Sequence, residues 1–124
     1  MRIALVADQY VNPPPGGLDA LAVLAPAGWG VMQLPAPSYP PAVVEGMLAQ
    51  VAEQAEEFSR HGYELVLVGE CPGLADAFAA VGLGLPDRIT PASAAQLSEF
   101  VAGRPHPAAS HWARLAAGPS AGPR

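Results

Sequence analysis

Short, continuous apolar runs alternate along this chain with amphipathic segments of helical period, and this alternation restricts the possible folds more than any other feature. Such an order is typical of β–α–β units, in which helices connect parallel strands and cover the sheet. The predicted strands cover residues 3–7, 30–34, 63–69 and 87–90, and the predicted helices cover residues 18–25, 41–61, 74–81 and 92–102. The sequence therefore predicts an α/β protein with a four-stranded sheet.

Right-handed crossovers between these segments determine the expected order of the strands. The predicted fold is a three-layer α/β sandwich with a mostly parallel sheet in the order 2-1-3-4, like one half of a flavodoxin- or Rossmann-type sheet. In such a sheet the direction of winding reverses between strands 1 and 3, and ligands bind beyond the carboxyl ends of the strands at this switch point. We therefore expect a ligand site at that edge.

The chain divides into two parts of different composition. The apolar stripes of the predicted helices all precede Gly103, whereas the 21 residues that follow include four prolines and two glycines. We expect residues 1–103 to form a single α/β domain that folds without the remainder. Residues 104–124 are expected to be a Pro/Gly/Ala-rich tail that is mobile or docked through Trp112.

The clearest predicted helix is the one that begins at Pro41, a residue that is well tolerated in the first turn. Its apolar residues recur at spacings of three and four and form one stripe: Val44, Met47, Leu48, Val51, Ala55 and Phe58. We expect this stripe, including Met47 and Phe58, to lie in the core.

The distribution of charge excludes several functions. All six basic residues are arginines, so the chain has no lysine for a Schiff base, for a Walker-type phosphate loop or for general-base catalysis. Residues 1–103 contain all 11 acidic residues and three arginines, whereas residues 104–124 contain three arginines and no acid. Because nucleic acids and anionic membranes are held mainly by basic side chains, we expect neither as a partner.

Composition also indicates the compartment. The apolar content of 51% is sufficient for a packed core, but no apolar run approaches the roughly 20 residues of a membrane span. The first apolar stretch is short and meets Asp8, which does not fit a secretory signal. Cys71 is the only cysteine, so no disulfide framework forms within one chain. We therefore expect a cytoplasmic protein.

Three predicted loops, residues 8–17, 35–41 and 70–73, would meet at the carboxyl edge of the sheet. Their mixture of polar, aromatic and glycine residues suits a small-ligand pocket. The candidate ligand-binding residues are Asp8, Gly16, Gly17, Ser38, Tyr39, Glu70 and Cys71.

Gly16 and Gly17 precede a predicted helix, where backbone N–H groups can bind a phosphate, so a small anionic or nucleotide-like ligand is expected. The alternative is a plain turn after the prolines, and Asp19 competes with any anion for the same helix end. No cofactor can be named from these residues.

Three residues are weak catalytic candidates. Asp8 and Glu70 end the two central strands and could act as acid and base, or could simply cap their loops. Cys71 precedes a helix whose N-terminus could lower the pKa of the thiol, but it could equally be an inert, partly buried thiol. The topology places His61 at the opposite edge of the sheet. No metal site is predicted, because the two tail histidines are five residues apart with a proline between them.

Three functions are consistent with this sequence. The favoured one is a non-catalytic ligand-binding or regulatory module that uses the carboxyl ends of strands 1 and 3. The second is an interaction or structural protein that forms a homodimer or a complex with another chain, with Trp112 and Leu115 as contact residues. The third is an enzyme that uses Cys71 or the Asp8/Glu70 pair. In each case we expect a homo-oligomer.

Overall fold

The sheet has the predicted topology in the computed structural model, which describes residues 2–103. Four parallel strands, β1 (Arg2–Val6), β2 (Gly30–Gln33), β3 (Glu64–Val68) and β4 (Asp87–Ile89), lie in the order β2-β1-β3-β4. The two central strands pair over their whole length, with Arg2 opposite Glu64 and Val6 opposite Val68. The prediction of a parallel sheet in the order 2-1-3-4 is confirmed.

Helices cover both faces of this sheet. They are α1 (Asp8–Val11), α2 (Ala20–Leu24), α3 (Pro41–Arg60), α4 (Leu74–Ala80) and α5 (Ala94–Gly103). The helices α3 and α4 pack on one face, and α1, α2 and α5 contribute to the apolar cluster on the other. Within residues 2–103, no helix has the length and apolarity needed to cross a membrane.

The segment between β1 and α2 differs from the expected loop. Residues 8–17 begin with the single turn of α1, which the Asn12 N–H closes by donating to the carbonyl oxygen of Asp8 over 2.8 Å. The next helix begins at Ala20 rather than Leu18, because Asp19 is its N-cap and accepts a hydrogen bond from the Leu21 N–H over 3.0 Å. An aspartate that caps a helix has a non-helical backbone, so the cap determines where α2 starts.

The buried stripe of α3 is rotated relative to the expected one. Leu48, Val51, Ala52 and Ala55 face Leu5, Leu67 and Phe78 in the core of this layer. The expectation that Met47 and Phe58 are core residues was wrong, because both are only half-buried. Met47 lies to one side of the buried stripe, and Phe58 lies in the last turn of α3. There the Phe58 ring packs against Tyr63, with ring centroids 5.1 Å apart.

The expected tail, residues 104–124 with Trp112 and Leu115, lies outside the described residues. The division of the chain into a domain and a tail therefore stays a prediction.

Candidate functional site

A cleft of about 970 Å³ opens at the carboxyl edge of the sheet and continues along the groove between α3 and α4. Its floor is formed where three strands end: Ala7 follows β1, Leu34 follows β2, and residues 70–73 follow β3. Leu48 and Glu53 belong to the α3 wall and Ala77 to the α4 wall. The cleft thus lies at the switch point where parallel sheets ordinarily bind their ligands.

A close backbone approach at Gly69 directs the chain from β3 towards the cleft. Gly69 has a φ of +93°, and a Cβ atom there would lie 2.7 Å from the Cβ of Ala7 and 2.9 Å from the Cε2 of Tyr10. Tyr10 is itself buried, and its hydroxyl donates to the carbonyl oxygen of Pro91 over 3.1 Å. Only glycine adopts this φ readily and also fits into so little space. The turn of the backbone at Gly69 brings Glu70 to the cleft.

The structure brings four of the seven candidate ligand-binding residues together: Asp8, Tyr39, Glu70 and Cys71 line the cleft. Ser38 lies beside Tyr39 but does not line the cleft, and neither do Gly16 and Gly17.

The N–H of Gly17 and the first turn of α2 already have hydrogen-bond partners within the protein. The Gly17 N–H donates to the carbonyl oxygen of Pro14 over 2.8 Å, so this N–H is used within its own turn. The N-terminus of α2 is already capped by the Asp19 carboxylate. The Gly17 N–H and the Leu21 N–H are therefore already engaged within the protein, and an anion at this helix end would lie beside the Asp19 carboxylate.

Among residues 2–103, no arginine or histidine lines the cleft, and its ionisable groups are carboxylates together with the Cys71 thiol and the Tyr39 phenol. Five carboxylates belong to its lining: Asp8, Glu45, Glu53, Glu70 and Asp76. Glu70 forms an ion pair with Arg88, and Asp8 accepts a hydrogen bond from the side-chain amide of Asn12 over 2.9 Å. Across residues 2–103, no three acidic, histidine or cysteine side chains converge closely enough to hold a metal ion.

Cys71 lies half-buried in the lining of the cleft, with its Sγ atom 3.9 Å from the carbonyl oxygen of Pro72. Burial raises the pKa of the Cys71 thiol above its ordinary value, which is the opposite of the lowering considered from the sequence. His61 is far from this thiol in the fold, because it lines a separate cavity of about 440 Å³ near the C-terminal end of α3. The histidine that the structure describes is thus not placed to activate Cys71.

The raised pKa of Cys71 predicts slow alkylation. At pH 7.5 the folded protein holds less thiolate than a free cysteine does, so iodoacetamide should react with it more slowly than with the urea-unfolded chain. The midpoint of the rate against pH should lie above the ordinary cysteine value. Mass spectrometry of quenched samples measures both quantities. A faster reaction of the folded protein than of the unfolded chain at pH 7.5 would contradict a raised pKa for the Cys71 thiol.

The same shift predicts the direction of a pH effect on stability. The unfolded chain releases the thiol proton at a lower pH than the folded protein does. Cys71 should therefore contribute its stabilisation fully below the ordinary cysteine pKa and lose it as the pH rises through the folded-state value.

Sequence reasoning missed the two helical walls of the cleft. Glu45 and Glu53 of α3 and Asp76 of α4 belong to its lining, yet none of them is among the candidate residues that the sequence indicated. Helical periodicity showed that the glutamates lie beside the apolar stripe of α3. It contained no information about which other element would lie opposite them.

Comparison of the chain with protein families, with curated proteins and with solved structures finds no significant match. Fold and site therefore define the protein as a class: a small α/β protein with a four-stranded parallel sheet and an acidic cleft at its carboxyl edge. What it does has to be inferred from that cleft.

Proposed function

We propose that this protein is a non-catalytic module that binds a small ligand in the cleft at the carboxyl ends of β1 and β3. The observation that carries this proposal is the cleft itself. Its volume of about 970 Å³ falls within the range of roughly 300–1,000 Å³ that is usual for ligand sites. Its lining combines apolar side chains such as Leu34, Val44 and Leu48 with a few polar groups, which is the usual composition of such sites.

The chemistry of the lining favours binding over catalysis. The pKa of the Cys71 thiol is raised by burial, which disfavours the nucleophilic thiolate. Asp8 and Glu70 each have a partner of their own, Asn12 and Arg88 respectively. An enzyme that uses these residues is accordingly the weaker hypothesis.

A homo-oligomeric, cytoplasmic protein remains part of this proposal. The strands β2 and β4 are the outer strands of the described sheet, and each leaves one edge available for pairing with another chain. The free thiol of Cys71 is compatible with a reducing compartment.

Disulfide tethering tests the binding function, because the only cysteine of the chain lies in the cleft lining. The protein is equilibrated with a panel of small disulfides in the presence of a reductant, and mass spectrometry measures how much of each fragment Cys71 captures. We expect a subset with apolar bodies to be captured at least about tenfold more by the folded protein than by the urea-unfolded chain, since a tenfold preference requires only about 1.4 kcal/mol of contact with the cleft.

Two neighbouring alanines of α4 supply a matched control. Both Ala79 and Ala80 are exposed, but only Ala80 lines the cleft. Ala80→Trp should occupy part of the groove and reduce capture, whereas Ala79→Trp should leave capture unchanged. Equal capture by the folded and unfolded chains, or equal effects of the two tryptophans, would show that the cleft does not select ligands.

A further inference from the structure

The charge of the cleft defines the class of ligand that fits it. We infer that the cleft binds a small organic cation with an apolar body, such as an arylalkylammonium ion. The inference rests on the proposed function. The charge of this ligand is opposite to that of the anionic ligand expected from the sequence at Gly16 and Gly17.

The first step is the balance of charge around the cleft. Glu70 is the only one of the five lining carboxylates that forms an ion pair with a described arginine, namely Arg88. The other two arginines within residues 2–103, Arg2 and Arg60, pair with Glu64 and Glu56, neither of which lines the cleft.

A ligand in the cleft therefore faces an excess of carboxylates. An anion there would be repelled at close range, whereas a cation would be attracted.

The second step is the spacing of the carboxylates. Glu45 and Glu53 are eight residues apart on α3, which corresponds to about 12 Å along a helix. The lining acids do not belong to any group that could hold a metal ion within residues 2–103. Carboxylates that surround an apolar groove without converging suit a bulky organic cation better than a compact inorganic one.

The third step is the apolar interior. Leu34 and Leu48 are buried in the floor and wall of the cleft, and Val44 and Ala77 are half-buried beside them. Tyr39 is the one aromatic side chain that residues 2–103 contribute to the lining, and 45% of its surface is exposed. A hydrocarbon body can cover the accessible parts of Val44 and Ala77 while its ammonium group lies near the carboxylates or over the Tyr39 ring.

Three probes that share a phenyl ring on a three-carbon chain, and whose head groups are cationic, neutral and anionic, test this inference on the full chain. They are 3-phenylpropylammonium, 3-phenylpropanol and 3-phenylpropanoate, titrated into isotopically labelled protein and followed by amide chemical shifts. We expect saturable shifts at Cys71, Gly73 and Ala77 with the ammonium ion, and an affinity at least about fivefold lower for the alcohol and lower still for the carboxylate.

Variants of α3 provide the matched control. The double variant Glu45→Gln/Glu53→Gln should weaken binding of the ammonium probe by about 3- to 10-fold, because each exposed carboxylate contributes modestly. Glu57→Gln removes a charge from the same helix at a position outside the cleft lining, and it should change the affinity by less than about twofold. Added salt should weaken the wild type more than the double variant.

Several outcomes would overturn the inference. Equal or tighter binding of the carboxylate would do so, and so would equal effects of the double variant and Glu57→Gln. If Trp112→Ala alone shifted the amides of Cys71, Gly73 and Ala77, the occupant would be the chain's own C-terminal segment. If tethering selects fragments but the ammonium probe does not bind, the ligand class is wrong and the binding function stands. If neither experiment detects binding, both are wrong.

Discussion

Phe78→Ala should lower the free energy of unfolding by about 3–5 kcal/mol, the range observed for removal of a buried aromatic ring. Phe78 of α4 is fully buried and belongs to the apolar cluster that contains Leu5, Leu48 and Leu67. Because small domains are stable by only about 5–15 kcal/mol, this loss is a large part of the total. Urea denaturation followed by circular dichroism measures it.

Phe58→Ala is the control for this substitution. The same atoms are removed, but Phe58 is half-buried in the last turn of α3, where its ring packs against that of Tyr63. We expect a loss of about 1–2 kcal/mol in the free energy of unfolding. Part of the Phe58 ring is already exposed in the folded protein, so folding removes less of its apolar surface from water. Equal losses for the two variants would mean that the core has been assigned to the wrong side of α3.

Gly69→Ala should destabilise the protein by about 2–5 kcal/mol, the sum of two unfavourable effects. A φ of +93° is strained for any residue with a Cβ atom, which costs about 1–2 kcal/mol. The new methyl group would also lie 2.7 Å from the Cβ of Ala7 and 2.9 Å from the Tyr10 ring. Relieving these contacts requires movement in a packed core, with a typical cost of about 1–3 kcal/mol. Chemical denaturation again measures the loss.

Gly82→Ala separates the two effects. Gly82 has a similar φ of +79°, but a Cβ atom there would meet nothing within 4 Å. The free energy of unfolding of this variant should fall only by the cost of backbone strain, about 1–2 kcal/mol. If both alanine variants are equally stable, the close approach of Gly69 to Ala7 and Tyr10 does not require glycine at this position. The turn at Gly69 would then not explain how Glu70 is brought to the cleft.

Local patterns in the sequence were sufficient to identify the elements and their order. Continuous apolar runs such as residues 3–7 indicated strands that are buried on both faces. The predicted range of the long helix, residues 41–61, agrees within one residue with the observed helix Pro41–Arg60. Right-handed crossover then determined the strand order, because this preference is a property of polypeptide chirality and needs no particular side chain.

Local signals also placed Asp8, Glu70 and Cys71 at the carboxyl edge of the sheet. Each follows a strand closely, and parallel strands end at the same edge. The local sequence pattern did not predict the start of α2 correctly. The capping preference of Asp19 outweighed the helical pattern that began at Leu18.

Only the tertiary structure decided which side of α3 is buried and what the cleft contains. The spacing of apolar residues locates the buried face of a helix to within about one residue around its circumference. Which residues of α3 are buried then depends on where Leu5, Leu67 and Phe78 lie opposite the helix. The juxtaposition of Glu45 and Glu53 with Asp76 likewise depends on how α3 packs beside α4. The sequence by itself determined that Asp8, Glu70 and Cys71 lie together at the strand ends. The acidic charge of the cleft there arises from long-range packing between segments that have no local signal for each other.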